Sequence, residues 1–450
     1  EQTTFISPIQ LRPVKISAGL VLTGLALLGI LSGWWMVVQS ESLQYKPENL
    51  RWSINQRFVA RGRLLDRRNE PIVENTGDPG NYSRLLLYPS LGTTIGYSNP
   101  RFGKAGLEAS LDDYLTGLRG NPQSRIFLAQ WIYAQSPPGL DVRLSLDLDV
   151  QSKVDQALQG TISSAVLINA SNGEILALAS HPSYDPNQID ELWETWQADP
   201  QAPLLNRATQ GQYPPGTALS PFLYVAAREA GVLSSYSPAL KSRANDCALR
   251  LTYPTTLEKA VSAGCTWAAQ QIAIHLDNSK LTEIYRDVGF FTAPEIPLPI
   301  AAIPLEASSE DPKLAINGEG SVLVSPLQMA LAASVLSNGG YLPSPRLAIT
   351  VLTPHQGSVV LPTDLPLPVD WAQDLTDYLR ALGAEDLPIW RTVARTQVGQ
   401  SIVTWYVGGT LPDWGGTPLA VSVLIEADNP MLALEVGDQL LAAALHPSAP

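Results

Sequence analysis

The longest apolar run in the chain is Ile16 to Val38, 23 residues without a charge. That is enough to cross a hydrocarbon core of about 30 Å as a tilted helix. Trp34 and Trp35 lie near its end, where amphipathic rings favour the membrane interface. Arg12 and Lys15 precede the run and Glu41 follows it. The positive-inside rule therefore puts the N-terminus in the cytoplasm and all later residues outside. A cleaved signal peptide has a shorter apolar stretch, about 7–15 residues, and Gln39-Ser40-Glu41 offers no small-x-small cleavage site. The pattern predicts a single-pass protein of the cytoplasmic membrane. It has a cytoplasmic tail (1–15), a transmembrane helix (16–38), a polar stalk (39–58) and an extracytoplasmic body.

In the body, Gly106 to Leu115 reads as one helix, and residues 141–146 alternate apolar and polar as a half-buried strand does. Val150, Val154 and Leu158 recur at i, i+4, i+8, predicting a helix over 149–159. Two β-rich runs within 163–180 flank Asn172-Gly173, a strong hairpin signal. From Pro203 to about 290 the pattern is mostly helical. Strands return at Ile402–Val407 and Pro418–Ile425, and the proline-rich segment 353–369 reads as a loop. A small module over 59–140 is thus followed by a larger domain over 141–450. Together they make an α+β chain with one antiparallel sheet flanked by helices.

Composition narrows the function. A net charge of −13 and a pI near 4.8 argue against nucleic acid as a partner. Two cysteines exclude a cysteine-based zinc site, and the histidines at 181, 275, 355 and 446 never fall at ligand spacing, so neither a metal nor a cofactor site is readable. Only eight of the 29 basic residues are lysines.

Several segments, in order, carry a resemblance. Arg61-Gly62-Arg63-Leu64-Leu65-Asp66-Arg67 resembles the signature opening the pedestal of class B penicillin-binding proteins. Gly96-Tyr97, Gly106-Leu107-Glu108 and Leu115-Thr116-Gly117 are similar to the segment that follows it there. Asp147 with Gln151, Asn172-Gly173-Glu174-Ile175-Leu176-Ala177 and Pro182-Ser183-Tyr184-Asp185-Pro186-Asn187 resemble the entry to the family's transpeptidase domain. Asn206-Arg207-Ala208, Tyr213-Pro214-Pro215-Gly216, Ser325-Pro326-Leu327-Gln328 and Trp405-Tyr406-Val407-Gly408 complete the series. The resemblance implies the penicilloyl-serine transferase fold, a five-stranded antiparallel sheet between helices, behind a transmembrane helix and a small pedestal. The implied activity is peptidoglycan D,D-transpeptidation: a serine attacks a D-Ala-D-Ala stem peptide and a second peptide amine resolves the acyl-enzyme.

The three motifs that perform this chemistry are altered. In the SxxK motif, Thr217 holds the nucleophile position and Ser220 the base position. Threonine adds a methyl that restricts χ1, and a hydroxyl is no base near neutral pH. The SxN positions hold Gly264 and Thr266, with Ser262 two residues upstream; the KTG positions hold Arg395, Thr396 and Gln397. Arginine keeps the charge but does not give up its proton, and Gln397 puts a side chain where close backbone approach needs none. No lysine in the chain completes an SxxK or a KTG; the nearest is Thr256-Leu257-Glu258-Lys259.

A positioned base contributes about 10²–10⁴ in rate, and losing one member of a concerted set removes most of the effect. The expectation is a catalytically degenerate penicillin-binding protein homologue in cell-wall synthesis. The alternative is an active acyl transferase with Thr217 as nucleophile. Implied partners are the peptidoglycan stem peptide or its lipid-linked precursor, whose carboxylate Arg395 could grip across a cleft from Thr217, and a SEDS-family glycosyltransferase reached through the transmembrane helix and the pedestal. The resemblance also implies that Cys265 stands at a position usually free and buried, although an oxidising compartment would let it pair with Cys247. Trp193 and Trp196 read as packing anchors rather than a glycan groove, and Asn317-Gly318-Glu319-Gly320 as a turn.

Overall fold

The computed structural model describes residues 11–37, 59–129, 137–233, 246–305, 310–373, 375–383 and 387–445. The stalk expected over 39–58 lies outside the described residues. The chain divides into two compact units, 1–58 and 59–450. In the first, Leu11–Val37 is one helix, and its stretch Lys15–Trp35 is long and apolar enough to cross a membrane.

In the second unit the central layer is a five-stranded antiparallel sheet. Its order is Ile389–Val398, Ser401–Thr410, Leu419–Ile425, Ser163–Asn169, Ile175–His181. Successive residues on a strand point to opposite faces, and both faces are covered. On one face Ala165, Leu167, Val421 and Val423 pack against Val150, Val154, Val436 and Leu440, from the helices Leu148–Ala157 and Pro430–Leu445. On the other, Trp390, Ala394, Trp405 and Leu424 pack against Phe222, Val225, Ala332 and Val335, from Ser220–Glu229 and Pro326–Ser337.

Local sequence explains the elements. Asp147 accepts from the amides of Asp149 and Val150 and so starts its helix. The expected hairpin turns at Gly173, which has φ +75° and passes so close to Ser344 that a Cβ would sit 1.8 Å from that carbonyl oxygen. Helix Pro326–Ser337 is buried at every position, as a helix apolar all round must be. Ser325 and Gln328 cap it reciprocally.

The expected 59–140 module supplies only part of a second, six-stranded sheet, in the order Gly357–Val360, Ala348–Thr353, Asp141–Leu144, Leu64–Leu65, Pro71–Thr76, Ser83–Leu86. Three of its strands come from beyond residue 140. Segment 353–369 is therefore not a plain loop: Thr353 accepts from the Gln356 amide and donates to the Gly357 carbonyl, closing a hairpin. Leu367–Pro368 adds a short pairing with Tyr341–Leu342. The single helix expected over 106–115 is two, Gly106–Ser110 and Asp112–Leu115, divided at Leu111, whose ψ of 11° leaves the helical range. Glu108 and Asp112 still both reach Arg61, at 2.9 and 2.6 Å. Trp193 contacts Tyr97 and Phe102, and Trp196 contacts Tyr184, ring on ring.

Candidate functional site

The run Tyr213 to Ser220 meets the edge strand Ile389–Val398 through glycines. Thr217 lies in the 3₁₀ turn Gly216–Leu219, which leads directly into helix Ser220–Glu229. Gly216 has φ +55°, and a Cβ there would lie 2.2 Å from Thr396 Oγ1. A Cβ on Gly264 would lie 1.9 Å from the Val393 carbonyl oxygen. A Cβ on Gly318 would lie 2.3 Å from Thr396 Cγ2. Three segments distant in sequence therefore close on one strand, each through a residue without a side chain.

The hydroxyls in this seat bond to backbone. Thr217 is 2% exposed, and its Oγ1 donates to the Gly264 carbonyl at 3.3 Å. Ser220 is fully buried, and its Oγ donates to the Thr217 carbonyl at 2.6 Å. Thr396 Oγ1 donates to the Pro215 carbonyl at 3.4 Å, and Thr392 Oγ1 to the Val261 carbonyl at 2.8 Å. Ser262, the upstream candidate for the second motif, is turned to the Leu382 carbonyl at 3.0 Å. Thr266 begins helix Thr266–Ile274, its amide donating to the Asp246 carbonyl at 3.0 Å.

Thr217, Ser220, Gly264 and Thr396 thus come together, whereas Arg395 and Gln397 do not join them. Ala394 and Thr396 face the seat, so the alternation of the strand turns Arg395 to the other side. There its guanidinium pairs with Asp428. The expected carboxylate grip by Arg395 across a cleft from Thr217 is not formed, because the residue that faces Thr217 is Thr396. Gln397 is exposed and donates to the Gly399 carbonyl at 3.1 Å.

The approach to the seat rests on a polar cluster in which Arg207 is buried and Glu426 half-buried. Tyr213 donates to Glu426 Oε1 at 2.7 Å, and Arg207 Nε donates to the same oxygen at 2.8 Å. Burial and then the Glu426 carboxylate push the Tyr213 phenol far above its ordinary range. Trp405 Nε1 holds the Pro214 carbonyl at 3.1 Å.

The described penicillin binding protein transpeptidase domain matches residues 163–381. Over those residues the chain is similar to that family's transpeptidase domain. It is similar to the peptidoglycan D,D-transpeptidase PbpA of Mycolicibacterium smegmatis, at 26% identity over 72% of this chain and 72% of that protein. It is also similar to the peptidoglycan D,D-transpeptidase MrdA of Escherichia coli K12, at 37% identity over 29% of this chain and 22% of that protein. Among solved structures, penicillin-binding protein A from M. tuberculosis, as its imipenem acyl-enzyme complex, superposes with a TM-score of 0.73 at 22% identity. That match covers 87% of this chain and 100% of the other. The D,D-transpeptidase domain of a peptidoglycan glycosyltransferase from Eggerthella lenta gives 0.70 at 20% identity, over 86% and 99% of the two chains.

One expectation for this penicillin-binding protein homologue is overturned: Cys265 is not free but joined to Cys247 by a disulfide. The segment around Asp246 folds back on the one around Cys265, Ala248 donating to the Ala263 carbonyl and Thr266 to the Asp246 carbonyl. These backbone bonds bring the two sulfurs together and flank Gly264. Sequence reasoning named Arg207, Tyr213 and Trp405 as motif residues but missed their partner Glu426, and missed Asp428 beside Arg395. Two acidic side chains just after the apolar run Leu419–Ile425 were the available signal.

Proposed function

We propose that this penicillin-binding protein homologue is catalytically degenerate and serves cell-wall synthesis by binding partners rather than by acyl transfer. The observation carrying this reading is the bonding of the seat. The hydroxyl at the nucleophile position is buried and spent on the Gly264 carbonyl, and the hydroxyl at the base position is spent on the Thr217 carbonyl. A carbonyl accepts a hydrogen bond but takes no proton, so neither contact raises the nucleophilicity of Thr217. Thr396 fills the space between turn and strand, which opposes the close approach of a peptide.

The partner surface in this reading is the 59–140 module together with the N-terminal helix, and the partner class is a SEDS-family membrane glycosyltransferase. The helix is read as a single span with the body extracytoplasmic. The module holds buried ion pairs, Arg61 and Arg84 on Glu108, whereas the hydroxyls of Thr217 and Ser220 bond only to backbone carbonyls among the described contacts. That contrast supports a structural role for the module.

Fluorescent penicillin labelling of the purified full chain tests the first half; no covalent band is expected. A band that unlabelled β-lactam competes away and that Thr217→Ala abolishes would establish the acyl-transferase alternative. Co-purification with a SEDS glycosyltransferase, lost when the 59–140 module is replaced, tests the second half.

A further inference from the structure

Residues 73–108 and 186–190 line a cavity of about 270 Å³, remote in sequence from the seat. Its walls include Tyr82, Arg84, Tyr97, Ser98 and Asn99 from the module and Asp190 from the larger domain. At about 30 Å³ for each water it holds the volume of about nine waters, room for a small amino acid.

Arg84 is the informative wall residue. Its side chain is 10% exposed. Nε donates to Glu108 Oε1 at 2.7 Å and Nη1 to Asn75 Oδ1 at 3.0 Å, but Nη2, though buried, has no acceptor. Glu108 is shared, because Arg61 takes its other oxygen at 2.9 Å. Arg61 has a second carboxylate in Asp112, which Lys104 also uses at 2.7 Å. In this cluster Arg61, Arg84 and Lys104 share the carboxylates Glu108 and Asp112. A buried charge short of a counter-charge is costly. The two guanidiniums differ accordingly. For Arg61, burial is outweighed by Glu108 and Asp112 and its proton is held more tightly; for Arg84, burial prevails and the pKa falls.

The opposite charge appears on the same cavity. Asp190 is exposed, and it accepts from Asn99 Nδ2 at 3.2 Å. We propose that this cavity binds a small zwitterion of the amino-acid class. Its carboxylate takes the unused Arg84 Nη2, and its ammonium takes Asp190. A guanidinium suits a carboxylate geometrically, and Asp190 disfavours ligands that carry negative charge alone. The inference is independent of the proposed loss of catalysis, because no residue of the seat lines the cavity.

The test is calorimetric titration of the full chain in detergent with glycine, alanine, propionate, ethylamine and inorganic phosphate, with thermal unfolding in parallel. Glycine and alanine should bind saturably, and propionate, ethylamine and phosphate should each be weaker by about tenfold or more, a missing charge-assisted pair. Ser98→Trp fills the cavity without touching the ion pairs; it should abolish saturable binding while leaving the unliganded unfolding midpoint unchanged. Asp190→Asn should weaken the amino acids but not propionate, and Arg84→Lys should weaken both. No saturable amino-acid binding, binding that survives in Ser98→Trp, or phosphate binding as tight as alanine overturns the proposal.

Discussion

Two polar regions of this chain handle burial in opposite ways. In the small module, charges are kept and buried in pairs: Glu108 is fully buried between Arg61 and Arg84. In the seat around Thr217, the residues brought together are Thr217, Ser220, Thr396 and Gly264, and each of the three hydroxyls is satisfied by a nearby carbonyl. A buried ion pair is sensitive to the loss of either partner, since the survivor is left charged in a poor solvent. A hydroxyl on a carbonyl is a modest neutral bond. The module should therefore be brittle and the seat tolerant, except where backbones touch.

The largest effect belongs to Glu108→Gln, which takes the paired carboxylate from buried Arg84 and leaves buried Arg61 with Asp112 alone. Denaturant unfolding of the variant should show a loss of about 3–5 kcal/mol. The pH dependence carries a definite sign. Burial raises the Glu108 pKa, but Arg84 and Arg61 outweigh it, so the carboxyl titrates below its ordinary range. The stabilisation is then complete above the ordinary glutamate pKa and lost as pH falls through the depressed one. The gap between wild type and Glu108→Gln should narrow as unfolding is repeated toward pH 3. A gap that widens in acid would falsify the pairing as the cause.

Next is Gly264→Ala, which breaks the rule that the seat is tolerant. The added Cβ would lie 1.9 Å from the Val393 carbonyl oxygen at a φ of +63°. A loss of more than about 2 kcal/mol is expected, and a thermal midpoint equal to wild type would show that loop and strand are not in contact. Thr217→Val keeps the shape and removes the hydroxyl. It should cost about 1 kcal/mol or less and leave the penicillin-labelling gel as blank as for wild type. The smallest effect is Arg395→Ala. The pair with Asp428 has side chains 35% and 42% exposed, and its loss should cost about 0.2–1 kcal/mol, shrinking further in high salt. A large, salt-independent loss would mean that Arg395 acts inside the seat.

Much of the fold was legible in local pattern. The uncharged run Ile16–Val38, the helix begun by Asp147 and the hairpin at Asn172-Gly173 are each specified by residues within a few positions of one another. The break at Leu111 was not, because Leu107, Leu111 and Leu115 keep helical spacing and are all buried across it. The hairpin at Thr353 was hidden by prolines that fall outside its strands, Pro354 in the turn and Pro362 beyond the edge strand Gly357–Val360. In the candidate site, the residue types were readable. The direction each side chain takes was not. Arg395 and Thr396 are neighbours, yet the pleat sends one to Asp428 and the other to Gly216.

By itself, the sequence determined the apolar helix, the strand and helix periods, and the absence of a lysine at any SxxK or KTG position. Those are properties of residue type and short spacing, where chain connectivity alone brings the groups together. Tertiary structure alone decided that Tyr213 meets Glu426 from 213 residues away, that Cys247 joins Cys265, and that Thr217 closes on Gly264 rather than on a base. Such contacts form only when separate elements pack, because which face meets which is set by the shared core they bury.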